Sequence, residues 1–371
     1  NTYQSTYVTH SVGPSFRYNT KNTRFVGEVA YQYATLSGNQ DYPVIDNPEI
    51  SNDFEDITYF AMLRHQFNQQ NSINLRIRSN TSTPTVSQLQ DVVDISNPLF
   101  VSAGNPDLQP TYTNSASVQF INSNITKGRT FMAMLSADIR QDYIGQSVII
   151  AQGEDLELDN DVTLMDGSQY TVPVNLDGYK SFKASISYGL PVSFLRSNLN
   201  LDLGASYTTL PSLINYQTNE TETYAYSGGA VLGSNISERI DFTVSYKGAY
   251  NIAKNSIQTS SDNTYLSQSA SLKLKVEAWW GLTLSVNGSY NQYRGITDDY
   301  NEEYILCSAA LGKKIFNNRR GEISVGVSDL FDQNTSFVRT VTDTYIENVT
   351  SNVLGRMFNL TFTYNLRAYG K

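Results

Sequence analysis

Between Leu266 and Tyr290 the chain reads LSQSASLKLKVEAWWGLTLSVNGSY, with its apolar residues on alternate positions. Leu266, Ala270, Leu272, Leu274, Val276 and Ala278 share one parity, and Ser267, Ser269, Ser271, Lys273, Lys275 and Glu277 hold the other. After Trp279, Trp280 and Gly281 the pattern resumes, with Leu282, Leu284, Val286 and Tyr290 against Thr283, Ser285, Asn287 and Ser289. Only an extended strand turns successive side chains to opposite faces. The stretch therefore reads as two strands and a tight turn, each strand with one apolar and one polar face.

The same unit recurs along the chain and predicts an all-β antiparallel sheet of about 14–15 strands. Before the opening pair, apolar parity marks strands within residues 8–18, 25–33, 57–63, 73–77, 112–120, 131–139, 182–188, 199–207, 224–232 and 240–250. After it come 305–311, 323–327 and 358–366. Short turns near Thr20, Gln69, Lys127, Ser237, Trp280 and Asn318 alternate with long polar segments, among them about 36–53, 80–109 and 145–177. A soluble sandwich has no reason to sort its connections this way. A transmembrane barrel does, with tight turns at one rim and long loops at the other.

Aromatic placement agrees. Of 26 Tyr and 16 Phe, Tyr31, Tyr33, Tyr112, Tyr207, Tyr224, Tyr246, Tyr250, Tyr265 and Tyr290 stand at the long-loop ends of their strands. Phe16, Phe120, Trp279, Trp280 and Tyr364 stand at the short-turn ends. Two aromatic girdles at two membrane interfaces follow. The mean hydropathy of −0.35 fits, because a barrel strand needs apolar residues only at alternate positions over about 9–11 residues. A net charge of −9 argues against nucleic acid as a partner. The single cysteine, Cys307, excludes an internal disulfide framework. The chain opens at Asn1 with no leader, which in an exported protein implies processing or truncation.

Reactive chemistry is sparse. His10 and His65, the two histidines, lie on separate strands. No Ser–His–Asp set, Cys–His spacing or phosphate-binding glycine loop emerges. Cys307 lies within a strand and reads as a small buried side chain. The segment EDLELDNDVTLMDG gathers Glu154, Asp155, Glu157, Asp159, Asp161 and Asp166 without a base. It reads as a solvated acidic loop or a Ca²⁺ loop, though its spacing is not that of an EF-hand. Arg76, Arg78, Arg140, Lys183, Lys247, Lys273 and Lys275 share the polar parity with Asp138, Asp202, Asp241 and Glu277, as the lining of a wet lumen would. The expectation is a chain that is not an enzyme, with no catalytic, cofactor-binding or metal residue and no cofactor.

VSQLQDVVDISNPLFVSAGNPDLQPTYTNSASVQF, Val86 to Phe120, resembles the signature loop and strand of Bacteroidetes-type TonB-dependent outer-membrane receptors. Its core is Asn97-Pro98 followed by Gly104-Asn105-Pro106-Asp107-Leu108-Gln109-Pro110. GEISVGVSDLFDQN, Gly321 to Asn334, and the closing NLTFTYNLR are similar to that family's last strands. On their own chemistry the residues of GNPDLQP are turn formers ahead of a strand, and we read them as a turn rather than a ligand site. The resemblance implies that residues 1–371 are a single barrel domain, the C-terminal part of a 22-stranded barrel in the cell outer membrane. The N-terminal plug and the TonB-contacting segment would lie outside this chain. It also implies transport, as a receptor for a large nutrient of the siderophore, cobalamin or glycan class. The partners would be outer-membrane lipid, the plug and TonB through the rest of the parent chain, and a surface lipoprotein. The alternative is a passive channel, or an anchoring or adhesion barrel whose long loops bind a partner.

Overall fold

The computed structural model describes residues 2–42, 49–157, 163–234, 239–257, 262–295, 301–316, 319–334, 336–341, 346–351 and 353–366. Nineteen strands hydrogen-bond into one sheet. Three of them belong to the long connections, and the first two are halves of one bent strand, which leaves fifteen in the wall. These are β1 (Thr2–Val12 and Ser15–Asn19), β2 (Thr23–Tyr42), β3 (Glu49–Gln66), β4 (Asn71–Ser82) and β5 (Thr111–Asn124). Then come β6 (Arg129–Gln141), β7 (Tyr179–Val192), β8 (Ser197–Ile214), β9 (Gln217–Ser234) and β10 (Ile240–Asn255). The last five are β11 (Asn263–Glu277), β12 (Leu282–Arg294), β13 (Glu302–Ile315), β14 (Gly321–Ser328) and β15 (Met357–Tyr364). Each pairs antiparallel with the next in sequence order, as the up-and-down reading requires.

The register aligns the parities across neighbours. Ile77, Ala116, Ala137, Phe182, Tyr207 and Tyr224 form one row, and Leu75, Val118, Leu135, Ala184, Ala205 and Tyr226 form the next. Between them runs a polar row of Arg76, Ser117, Ser136, Lys183 and Ser206. The apolar rows have no second layer over them: Ile57, Leu135, Leu203, Leu272 and Leu284 are all exposed. A contiguous apolar face of this size is stable only against hydrocarbon. The girdles are present as contacts. Tyr207 lies 4.9 Å from Tyr224 and 6.4 Å from Phe182 between ring centres at one end. Phe16 pairs with Phe25, Trp279 with Trp280, and Phe316 with Tyr364 at about 6 Å at the other.

Two features differ from the sequence reading. The polar segment 36–53 is not a loop throughout, since β2 runs to Tyr42 and β3 starts at Glu49; Pro43 and Pro48 lie outside the described residues. Likewise β8 and β9 pair up to Ile214 and Gln217, and only Asn215 and Tyr216 turn, both with positive φ, as a two-residue hairpin demands. These strands of 18–20 residues overshoot the roughly 9–11 that cross a bilayer. Above the girdle apolar residues leave the outward parity, as Leu36, Phe54, Leu210 and Ile214 do, so the period-two signal fades while the ladder continues. The weak first strand is real. It breaks at Gly13-Pro14, where a Cβ on residue 13 would stand 2.0 Å from the Val29 carbonyl oxygen, and both halves pair with β2. The turn positions Ser237 and Asn318 lie outside the described residues.

Among the described residues β1 bonds only to β2, and β15 only to β14, whose free neighbour edge is fully exposed. The wall is therefore open along one seam. Its outward rows make a quantitative prediction. In vesicles, Leu272→Arg at mid-wall costs about 2–4 kcal/mol of unfolding free energy, whereas Ser271→Arg on the polar parity costs under about 1 kcal/mol. Denaturant titration of the two variants checks this, and equal costs would refute the facing.

Candidate functional site

The long connections after β4 and β6 fold together into a crown. Tyr143–Ile150 pairs antiparallel with Gln169–Leu176, which pairs in parallel with Phe100–Ser102. The tip of the β8–β9 hairpin joins this small sheet, Leu213 and Ile214 pairing in parallel with Ser147 and Val148. Asn215 clamps the joint, its backbone N–H donating to the Val148 carbonyl at 2.9 Å and its Oδ1 accepting from the Ile150 N–H at 2.8 Å.

The buried apolar clusters lie here rather than in the wall. Leu89, on the one-turn helix Val86–Leu89, packs with Leu108, Leu36 and Phe54. Leu36 and Phe54 stand on the polar parity of β2 and β3, so the connection after β4 folds in against the inner face of the tall hairpin. Val101, Ala151 and Leu164 form a second cluster, with Val93, Ile149 and Tyr170 against it.

GNPDLQP is the fastener of this crown. Gly104 and Asn105 donate their backbone N–H groups to the Gln90 and Gln88 carbonyls at 2.9 and 2.6 Å. A Cβ at residue 104 would sit 2.2 Å from the Gln90 oxygen, so only glycine fits. Asn105 Oδ1 accepts from the Asp107 N–H at 3.0 Å, a local turn, while its Nδ2 donates to the Pro173 carbonyl at 3.0 Å. Leu108 is fully buried. Asn175 answers from the facing connection: its Oδ1 accepts from the Gln109 N–H at 2.8 Å, and its Nδ2 donates to the carbonyls of Gln109 and Asp142. The turn reading of the motif holds, and the motif also ties two connections into one body.

Beneath this body, on the polar face of β4, β5 and β6, lies a cavity of about 470 Å³. Arg78, Ser115, Asp138 and Arg140 form its floor, Thr85 and Gln88 part of its roof, and Tyr143 its side. Asp138 accepts from the Ser115 hydroxyl at 2.6 Å. The Arg140 guanidinium lies 4.1 Å from the Tyr179 ring centre and 5.8 Å from that of Tyr143, and these rings are themselves 4.8 Å apart. The stack holds the guanidinium by cation–π attraction while its buried Nε has no hydrogen-bond partner. Neither Arg78 nor Arg140 forms an ion pair among the described residues. Such a cavity can hold a polar ligand with hydrogen-bond acceptors or negative charge. A larger recess of about 550 Å³, around Ala116, Ala137, Ala184 and Ala205, opens on the apolar rows instead.

Arg78, Arg140 and Asp138, assigned from parity alone to the lumen lining, thus meet at one place. Tyr143, Tyr179 and the roof escaped notice, because neither tyrosine belongs to a run of clear parity. The remaining candidates stay apart. His65 Nδ1 bonds to the Thr23 hydroxyl at 2.8 Å beside Phe67 at a short turn, and His10 lies opposite Tyr33 on β1. Cys307 is opposite Gly288 on the apolar parity and is half-buried rather than buried, because that face has no second layer over it. In the acidic segment, Asp166 Oδ1 accepts from the Gly153 N–H and Asp155 Oδ1 from the Asp166 N–H. Asp159 and Asp161 lie outside the described residues, and the described ones gather no three acidic, His or Cys side chains as a metal group.

An antiparallel wall with apolar rows outside, polar rows inside, aromatic girdles and one elaborated rim defines an outer-membrane β-barrel protein. A family model, that of the outer membrane protein beta-barrel family, matches residues 9–364. The chain belongs to that family, which places it in the outer membrane in contact with its lipid. Among curated proteins no sequence matches it.

Two predictions concern the crown. Gly104→Ala forces the Gln90 carbonyl aside and loosens the fastener by about 1–3 kcal/mol. On intact cells, protease cutting between residues 83 and 110 should rise, while the short turns stay uncut. The second concerns acid. Burial and the nearby Asp177 carboxylate push Asp142 above the usual carboxylate range. A raised acid contributes stability while protonated, and that contribution is lost as pH rises through the folded-state value. Crown opening, read by the same cutting assay or by hydrogen exchange, should therefore increase as pH climbs out of the carboxylate range. Asp177→Asn should flatten that rise.

Proposed function

We propose that this chain is the C-terminal barrel portion of a TonB-dependent receptor that imports a large nutrient, with no enzymatic role. The observation that carries the reading is the cavity of Arg78, Asp138 and Arg140, lying inside the wall and roofed by a connection that folds in from the outer rim. A passive pore gains nothing from a roofed, charged pocket, whereas a receptor must hold its cargo before an energised step releases it. Further support comes from the resemblance through Asn97 to Pro110 and the closing strands to Bacteroidetes-type receptors. The cargo belongs to the siderophore, cobalamin or glycan class. A plug, TonB contacting the parent chain, and a surface lipoprotein at the crown are the partners this reading implies.

The test is uptake in cells lacking the gene, with a labelled siderophore–iron, cobalamin and oligosaccharide panel. The full-length gene should restore uptake of one class only while the inner-membrane energising complex is intact, and residues 1–371 alone should not. Arg140→Ala should weaken that uptake about tenfold, as loss of one charged hydrogen-bond donor implies. Uptake indifferent to the energising complex would favour the passive or anchoring barrel. Restoration by residues 1–371 alone, dependent on that complex, would overturn the division of labour.

A further inference from the structure

Charge is sorted between the two rims. The crown connection 83–110 carries Asp91, Asp94 and Asp107 and no base. The other, 142–178, carries Asp142, Glu154, Asp155, Glu157, Asp166 and Asp177 among its described residues, and no base. The opposite rim reverses the sign. Lys21, Lys127, Arg196, Arg239, Arg319 and Arg320 sit in the short turns, whose described residues carry no acid; Glu238 lies outside the described residues.

The same turns push apolar side chains outward. Ile125 is 88% exposed, Phe194 86% and Trp279 77%, and Trp280, Phe67 and Phe316 are also bare. An apolar tip beside a base suits the boundary between acyl chains and headgroups, and has no use in open water. Two bases stand on the lipid-facing parity itself. Lys313 is opposite Leu282 and Ile323, with its Nζ donating to the Trp280 carbonyl at 2.7 Å. Arg129 is two residues before Phe131 on the same parity of β6. Their aliphatic stems lie along the apolar wall while their charges reach the headgroup level.

The bases of this rim outnumber the acids nearby. Glu277 is shared by Lys314 and Arg319, and Glu322 accepts from the Thr283 hydroxyl at 2.7 Å. Asp241 lies in β10 beside the Ser234 hydroxyl.

We infer that the short-turn rim binds the headgroups of an anionic phospholipid, phosphatidylglycerol, in the leaflet on that side, with Arg129 and Lys313 as its lipid-facing contacts. Charge complementarity and continuity with the lipid-covered wall select this occupant over an acidic stretch of a soluble protein. A juxtamembrane base gains about fivefold in binding to an anionic surface, and the gain is screened by salt.

The experiment compares lipids that remain bound. The protein is reconstituted in nanodiscs of equal phosphatidylglycerol and phosphatidylethanolamine, transferred to detergent, and its retained lipids counted by native mass spectrometry. Phosphatidylglycerol should be retained several-fold over phosphatidylethanolamine. The enrichment should fall about fivefold for each of Arg129→Gln and Lys313→Gln, collapse in high salt, and survive in Lys313→Arg. Heat-modifiable gel migration confirms that each variant is folded. Equal retention of the two lipids, or enrichment unchanged in the double Gln variant, overturns the proposal. So does a phosphatidylglycerol enrichment that persists in high salt, because headgroup charge would then not be what the rim reads.

Discussion

A backbone amide in hydrocarbon has no water to bond, and an unsatisfied one costs several kcal/mol. That constraint sets the wall. Each strand from β2 to β14 is bonded to a neighbour on both sides. It also explains why side chains need not hold the wall together. The apolar rows are exposed, buried side chains are concentrated in the crown, and ion pairs among the described residues are confined to Glu277 with Lys314 and Arg319. Lipid supplies the apolar environment and the ladder supplies cohesion.

The crown obeys the opposite rule. It stands in water, so it needs dry clusters of its own, and it makes them from Leu36, Phe54, Leu89 and Leu108 and from Val101, Ala151 and Leu164. Where apolar material runs short, buried amides take over. Asn219 is fully buried, and its side chain bonds Ser212, Thr221, Ser256 and the Ile257 N–H, tying the β8–β9 hairpin to the connection after β10. Such a network is stable only if complete. The cavity at Arg140 inherits its shape from this solid roof, which is why the fastening motif matters to a site it does not touch.

This contrast decides what was legible in the sequence. In the wall a residue's environment depends on parity alone, so period two gave about 14–15 strands where the wall has fifteen, the weak first one among them, and the lumen position of Arg78, Asp138 and Arg140. In the crown a residue's environment depends on distant partners. Nothing local says that Asn175 bonds Gln109, or that Tyr143 stacks on Tyr179 under Arg140. The tall hairpins fell between the two regimes. LSGNQ in β2 is strand by its ladder, yet its one large apolar residue, Leu36, falls on the otherwise polar parity and is buried by the connection after β4, which leaves no alternation to detect. GNPDLQP was recognisable as a turn from its residue types, but its role as a fastener is a property of the Gln90 carbonyl that Gly104 must approach.

The open seam is a matter of direction as much as of number. Fifteen antiparallel strands leave β1 and β15 running the same way, each from the long-loop rim to the short-turn rim. Joining them directly would make a parallel pair, out of keeping with the antiparallel closure of bacterial barrels, whose strand number is even. Antiparallel closure therefore takes an odd number of further strands between β15 and β1. Their arrival would cover two edges that otherwise present unpaired amides to hydrocarbon along all of β15, a gain that grows with every residue of the seam. The wall is thus strongly biased toward accepting strands at that seam, where among the described residues β1 and β15 each have a partner on one side alone.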